Sequence, residues 1–151
     1  MKKYLTYAFY ILLPLAVGGI VSLIISGNID YSSLNKPPLS PPGVLFPIVW
    51  TILYILMGIA FFLYKRNGNT SKETDKTYYL QLLVNALWSI IFFLFKWRFF
   101  AIIWTLLLVY LIYALLKKIK RKNLNSYYLL IPYFIWTIFA TYLTIGVFIL
   151  N

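Results

Sequence analysis

Three tryptophans, each within one or two helical turns of an aromatic or small partner, are the residues of this chain best suited to binding chemistry. Trp50 and Tyr54 are four positions apart, and Trp136 shares a helical face with Ala140. Trp88 lies on a third apolar segment. At a rise of about 1.5 Å per residue, the expected depths of these tryptophans let them line one cavity. Aromatic walls favour a flat, apolar ligand held by stacking, such as a porphyrin-like or steroid-like molecule.

The helical face that carries Trp88 also carries two amides. Gln81, Asn85 and Trp88 are spaced i, i+4 and i+7, and we expect this face to look into a helix bundle because an unsatisfied amide in hydrocarbon costs several kcal/mol. Two interpretations stay open. Asn85 orients a ligand by hydrogen bonding, or Asn85 and Gln81 bond across a helix interface, which stabilises membrane bundles by about 0.6 kcal/mol.

The residue types that the chain lacks exclude several kinds of catalysis. The sequence has no Cys and no His, which rules out disulfides, thiolate chemistry and metal sites built from those ligands. Its acids, Asp30, Glu73 and Asp75, all fall in or beside loops, so no intramembrane carboxylate is available to couple proton flow. We therefore predict no metal site, no required cofactor and no conventional hydrolase or proton-coupled carrier.

The composition predicts the elements that must position these side chains. Apolar residues make up 62% of the chain, charged residues 11%, and the mean hydropathy is +0.82, whereas soluble domains are about 45–50% apolar and about 25% charged. Each apolar run is long enough to cross about 30 Å of hydrocarbon as a helix. We predict an all-α membrane protein, a single domain over residues 1–151 with five transmembrane helices. The predicted spans are 4–25, 43–64, 78–95, 99–116 and 127–150.

The basic residues predict the orientation of the bundle. Most of the 14 Lys and Arg residues lie before the first span, after the second or after the fourth, all on one side of the membrane. The positive-inside rule then puts the N-terminus in the cytoplasm and the C-terminus outside. The net charge of +11 indicates this topology and contact with the anionic lipid bilayer, and we predict no nucleic-acid partner.

The loop at 26–42 faces outward in this orientation and is rich in proline. Prolines fix φ and favour extended or turn backbone, so we expect a loop of defined shape that forms a lid over the aromatic end of the second span. Tyr31 and Pro41 are placed to close over a bound molecule. The prolines of this loop are Pro37, Pro38, Pro41 and Pro42.

The order of these motifs closely resembles the translocator protein, or tryptophan-rich sensory protein, family. The resemblance covers nearly the whole chain. The matching segments are Pro41-Pro42-Gly43, Phe46-Pro47, Val49-Trp50-Thr51, Leu53-Tyr54, Met57-Gly58, Gln81, Asn85-Ala86-Leu87-Trp88-Ser89, Phe92-Phe93, Pro132-Tyr133, Trp136 and Ala140-Thr141-Tyr142-Leu143.

The resemblance implies a five-helix bundle, usually a homodimer, with a ligand cavity beneath the first loop. It implies binding of tetrapyrroles such as protoporphyrin IX, and of isoquinoline carboxamide or benzodiazepine-type drugs, with sterol binding associated with mitochondrial members. Carried over by position, the ligand-binding residues are Tyr31, Pro41, Phe46, Trp50, Tyr54, Asn85, Trp88, Trp136 and Ala140.

Three functions remain open at this point. The first, which we favour, is a binding or sensory protein that holds a tetrapyrrole or similar flat ligand. The second is a light- and oxygen-dependent porphyrin-degrading enzyme, as the resemblance to bacterial members implies, with Trp50 and Trp136 as candidate catalytic residues. The third is a transporter of porphyrin or sterol.

The end of the chain departs from the sterol-binding relatives. Their last helix carries a Tyr and then an Arg near its end, while residues 144–151 contain no basic residue. We therefore do not expect sterol recognition there. The short C-terminus and the absence of a transit peptide favour a bacterial plasma membrane.

Overall fold

Five long helices form the computed structural model, which describes residues 2–151, so Met1 of the predicted domain lies outside the described residues. All five are long and apolar enough to cross a membrane, which confirms the predicted fold class. The helices are α1 (Lys2–Ile25), α2 (Leu45–Arg66), α3 (Lys72–Ser89), α4 (Arg98–Lys120) and α5 (Leu124–Leu150). A short 3₁₀ turn covers Tyr31–Ser33, and α3 continues as a π-helical turn over Ile90–Leu94.

The largest boundary correction is at α3, which begins at Lys72 rather than at residue 78. The Ser71 hydroxyl accepts a hydrogen bond from the Thr74 N–H at 3.3 Å, and the acids Glu73 and Asp75 lie in the first turn, where the helix dipole favours negative charge. Hydropathy alone misses this polar, well-capped turn, so the predicted start at residue 78 was wrong.

Helices α4 and α5 also extend beyond their predicted spans. Helix α4 continues past residue 116 to Lys120, and its last turn is basic, which suits the negative end of the helix dipole. Helix α5 begins at Leu124 rather than at residue 127, because the Asn123 side chain accepts a hydrogen bond from the Ser126 N–H at 3.0 Å.

The core lies where α2, α3, α4 and α5 meet. Met57, Ile112, Leu115 and Tyr133 are fully buried there. Helix α1 packs against α2 at a close backbone approach, since a Cβ atom at Gly58 would overlap the carbonyl of Ile11. The buried residues of α1 are Pro14, Val21 and Ile25. Much of α1 is therefore free to face lipid or an internal space.

Candidate functional site

A cavity of about 950 Å³ lies between α1, α2, the end of α3 and α5, beneath the loop that joins α1 to α2. This volume is at the upper end of the roughly 300–1,000 Å³ typical of small-molecule sites. The sequence-predicted residues on its wall are Tyr31, Pro41, Phe46, Trp50, Tyr54, Trp88 and Ala140. The aromatic helix end and the proline loop therefore enclose one space.

Two aromatic pairs, one on α2 and one at the end of α3, form parts of the cavity wall. Trp50 and Tyr54 of α2 have ring centroids 5.6 Å apart, and Trp88 and Phe92 stack at 5.0 Å. Phe92 and its neighbour Phe93 both reach the cavity from the π-helical turn. Such turns inside α-helices are frequent at functional sites. The sequence motif contained both phenylalanines, but periodicity gave no reason to place adjacent residues on one wall.

Small residues on α1 line the same cavity and leave room for the Tyr54 ring. Gly18 and Ser22, one turn apart, line the cavity together with Gly19. A Cβ atom at Gly18 would overlap the ring of Tyr54, so glycine is what allows that ring to lie against α1. These residues extend the predicted site, which contained none from the first span.

The roof of the cavity is a hydrogen-bonded loop, consistent with the expected fixed shape. The Tyr31 hydroxyl donates to the carbonyl of Pro41 at 2.6 Å, and the Tyr31 ring meets Phe46 edge-on at 4.9 Å. Burial raises the pKa of Tyr31, while a hydrogen bond with Ser40 lowers it to a smaller extent. The hydroxyl therefore stays protonated and able to donate at neutral pH.

Distant parts of the chain hold this roof in place. Arg98, at the start of α4, donates two hydrogen bonds to the Asp30 carboxylate at 2.9 and 3.0 Å. At the end of α5, the Asn151 side chain donates to the carbonyl of Asn35 at 2.8 Å, and the Tyr142 hydroxyl donates to the carbonyl of Pro38. The loop is thus tied to two helices that follow it much later in the sequence.

Asn85 does not reach the cavity wall. Its side-chain oxygen accepts a hydrogen bond from the Tyr54 hydroxyl at 2.7 Å, and its amide donates to the Tyr133 hydroxyl at 2.8 Å. Tyr133 in turn donates to Gln81 at 2.7 Å. Asn85 is only 4% exposed, and Tyr54, to which it is hydrogen-bonded, lines the cavity in its place. Tyr133 was absent from the predicted site.

Trp136 also lies behind the wall instead of on it. Its ring packs on Phe46 at a centroid distance of 5.9 Å and on Phe139 at 5.4 Å. Its indole N–H is buried and has no hydrogen-bond partner among the described residues. The expected depth of Trp136 was compatible with a cavity position, but Phe46, on which its ring packs, lines the cavity and Trp136 does not. The structure therefore brings two of the three predicted tryptophans to the cavity.

Fold and site together define a class of small membrane protein, a five-helix bundle with an aromatic cavity beneath a hydrogen-bonded proline loop. Residues 10–150 match the model described as the TspO/MBR family, and the chain belongs to that family.

Several relatives match over most of their length. The tryptophan-rich protein TspO of Chlorobaculum tepidum is 34% identical over 99% of this chain and 98% of its own. The proteins of the same name from Archaeoglobus fulgidus and Bacillus cereus are 32% and 33% identical, over 93% and 80% of this chain and 94% and 80% of their own. With the five spans, the relatives from Chlorobaculum and Bacillus confirm the expectation of a multi-pass bacterial membrane protein.

Proposed function

We propose that this protein is a binding or sensory membrane protein that holds a tetrapyrrole, such as protoporphyrin IX, or a similar flat apolar molecule in the cavity beneath its first loop. The observation that carries the proposal is the 950 Å³ space walled by Trp50, Tyr54, Trp88 and Phe92. Aromatic contacts in such a space contribute about 0.5–1.5 kcal/mol each beyond their buried area. Several rings acting on one flat molecule give useful affinity without any charged partner.

The hydrogen bonding of the wall favours holding a molecule over acid–base chemistry on it. The Tyr54 hydroxyl is engaged by Asn85, and the Tyr31 hydroxyl is engaged by the carbonyl of Pro41. A general acid or base must be free to exchange a proton with the substrate. Stacking therefore remains the main contribution of these side chains.

The test is an absorption titration of protoporphyrin IX into purified protein in the dark. We expect a saturable shift of the porphyrin band, weakened about three- to tenfold by Trp50→Phe or Trp88→Phe, which shrink the stacking surface. Trp97→Phe is the matched control, because Trp97 is 57% exposed and does not line the cavity. A linear, non-saturable response that is equal in all four proteins would contradict the proposal.

A second candidate function is light- and oxygen-dependent breakdown of the bound porphyrin. The observation that favours it is the position of Trp50, whose ring lies on the cavity wall 5.6 Å from Tyr54 and 6.3 Å from Tyr133. A pigment stacked on this wall would contact the oxidisable Trp50 ring, with the Tyr54 and Tyr133 rings next to it. Trp136, the other catalytic candidate, lies behind Phe46 and is the weaker choice.

Illumination under air distinguishes the two functions. If the protein is an enzyme, the porphyrin absorption band disappears and product forms faster with protein than in detergent alone. Trp50→Phe should then slow this loss while the porphyrin stays bound. Equal bleaching with and without protein excludes the enzyme and leaves the binding protein.

Transport of porphyrin or sterol, binding of isoquinoline carboxamide or benzodiazepine-type molecules, and the homodimer implied by the family resemblance stay predictions. Flux of protoporphyrin IX across proteoliposomes no faster than across protein-free vesicles would count against the transporter.

A further inference from the structure

Lys36 is the one charged residue on the wall of the cavity, as far as the described residues 2–151 define that wall. It lies in the roof, between the 3₁₀ turn and the prolines. Its place in the cavity comes from the fold of the loop.

Hydrogen bonds hold the Lys36 ammonium in a defined position. Its Nζ donates to the carbonyl of Tyr31 at 2.9 Å and to the carbonyl of Leu34 at 3.1 Å, and it lies 4.7 Å from the centre of the Tyr31 ring. An ammonium group has three N–H donors, so one donor remains. Carbonyl dipoles orient the charge but do not neutralise it.

No carboxylate among the described residues lies within ion-pair distance of Lys36. The one acid of the same loop, Asp30, is bound by Arg98 at 2.9 Å and approached by Lys96 at 3.9 Å. The other acids pair with lysines near the basic loops, Asp75 with Lys65 and Glu73 with Lys118. A half-buried charge without a counter-charge is unfavourable. The roof therefore presents to the cavity a positive charge that no negative side chain neutralises.

We propose that Lys36 binds an acidic group of the ligand, so that the cavity prefers flat apolar molecules bearing a carboxylate over neutral molecules of the same shape. This inference rests on the proposed function. At the roof, the carboxylate accepts a hydrogen bond from the remaining N–H of Lys36. This charge-assisted hydrogen bond is stronger than one between neutral groups. The ring system lies deeper, against Trp50 and Trp88.

The preference separates the ligand classes considered above. A tetrapyrrole with carboxylate side chains supplies both the flat ring system and the counter-charge. Neutral carboxamide drugs and sterols supply only the apolar part. Lys36 thus makes the tetrapyrrole dicarboxylate the best match to the cavity.

The experiment compares protoporphyrin IX with its dimethyl ester, which keeps the macrocycle and removes both charges. Both are titrated in the dark into wild-type protein, Lys36→Met, Lys36→Arg and the control Lys96→Met, whose lysine is exposed at the same end of the bundle and does not line the cavity. We expect Lys36→Met to weaken the acid about tenfold or more and to leave the ester unchanged. Lys36→Arg should retain most of the affinity, and Lys96→Met should match wild type.

The ester reports whether the roof is intact, because Lys36 also binds two loop carbonyls. Equal weakening of acid and ester by Lys36→Met would assign Lys36 a structural role in the roof and overturn the inference. If both compounds bind all four proteins equally well, the inference fails while the proposed function stands. If neither compound binds wild-type protein, the proposed function fails and the inference falls with it.

Discussion

At the residue scale, the buried polar side chains form a chain of hydrogen bonds behind the cavity. Asn85 links the Tyr54 and Tyr133 hydroxyls at 2.7 and 2.8 Å, and Tyr133 continues to Gln81. The spacing of Gln81 and Asn85 predicted a face that looks inward, and both are buried. Tyr133 was absent from the predicted site, although it belongs to the matching Pro132-Tyr133 segment.

Asn85→Ala should destabilise the protein, since it leaves the Tyr54 hydroxyl without an acceptor and removes a donor to Tyr133. An unsatisfied buried polar group costs about 1–3 kcal/mol. Thermal unfolding in detergent should therefore show a clear decrease in Tm. Tyr54→Phe removes only one hydrogen bond of this network and should have a smaller effect. Equal stability of Asn85→Ala and wild type would contradict a stabilising role of the network.

At the element scale, the helices were predictable and their irregular parts were not. The spans follow from hydropathy, because a chain in lipid must satisfy its backbone within each helix. The π-helical turn at Ile90–Leu94 and the first turn of α3 escaped prediction. In the π-helical turn, Phe92 and Phe93 pack against residues from other parts of the chain. The first turn of α3 is capped by Ser71, which lies in a polar stretch.

Gly58→Ala should loosen α1 from α2. The added methyl group would overlap the Ile11 carbonyl, and backbone cannot move aside as a flexible side chain does. We expect a loss of about 1–3 kcal/mol in the free energy of unfolding, as for other overpacked sites. Gly19→Ala is the matched control, because nothing lies within 4 Å of the Cβ position of Gly19. Alanine raises the helix propensity equally at the two positions, so the difference in stability reports the overlap alone. A Gly58→Ala protein as stable as Gly19→Ala would refute this contact.

Arg98→Gln should release the roof from α4, since it breaks the two-point contact with Asp30. Hydrogen exchange of the backbone amides at 29–36 should become faster, while exchange in α4 changes little. Lys96→Gln is the control, because Lys96 approaches Asp30 only at 3.9 Å and is exposed. Unchanged exchange in the loop would mean that Asn151 and Tyr142 are sufficient to hold it.

At the scale of the whole molecule, one end of the bundle carries most of the positive charge and the other carries the roofed cavity. Composition was enough to predict five spans, and the motifs around Trp50 and Trp88 were enough to predict two walls of the site. The links from Asn35 to Asn151 and from Asp30 to Arg98 join positions far apart in sequence, so no local pattern reports them.

The cytoplasmic position of the basic end stays a prediction that single cysteines can test, because the chain contains none of its own. We expect a membrane-impermeant maleimide to label Ser32→Cys in the roof of intact cells, and to label Thr70→Cys, between α2 and α3, only after permeabilisation. Both side chains are exposed. The reverse pattern would invert the topology and put the cavity roof inside the cell.

The central claim is that the ligand lies inside the cavity, and filling that cavity tests the claim most directly. Ala140 lies on the wall, so Ala140→Phe places a ring where the porphyrin should lie. Ile138→Phe adds a ring on an exposed position of the same helix and serves as the control. In dark titrations with protoporphyrin IX, we predict saturable binding to wild type and Ile138→Phe, and loss of binding in an Ala140→Phe protein whose Tm matches the control. Wild-type affinity in Ala140→Phe would contradict the account.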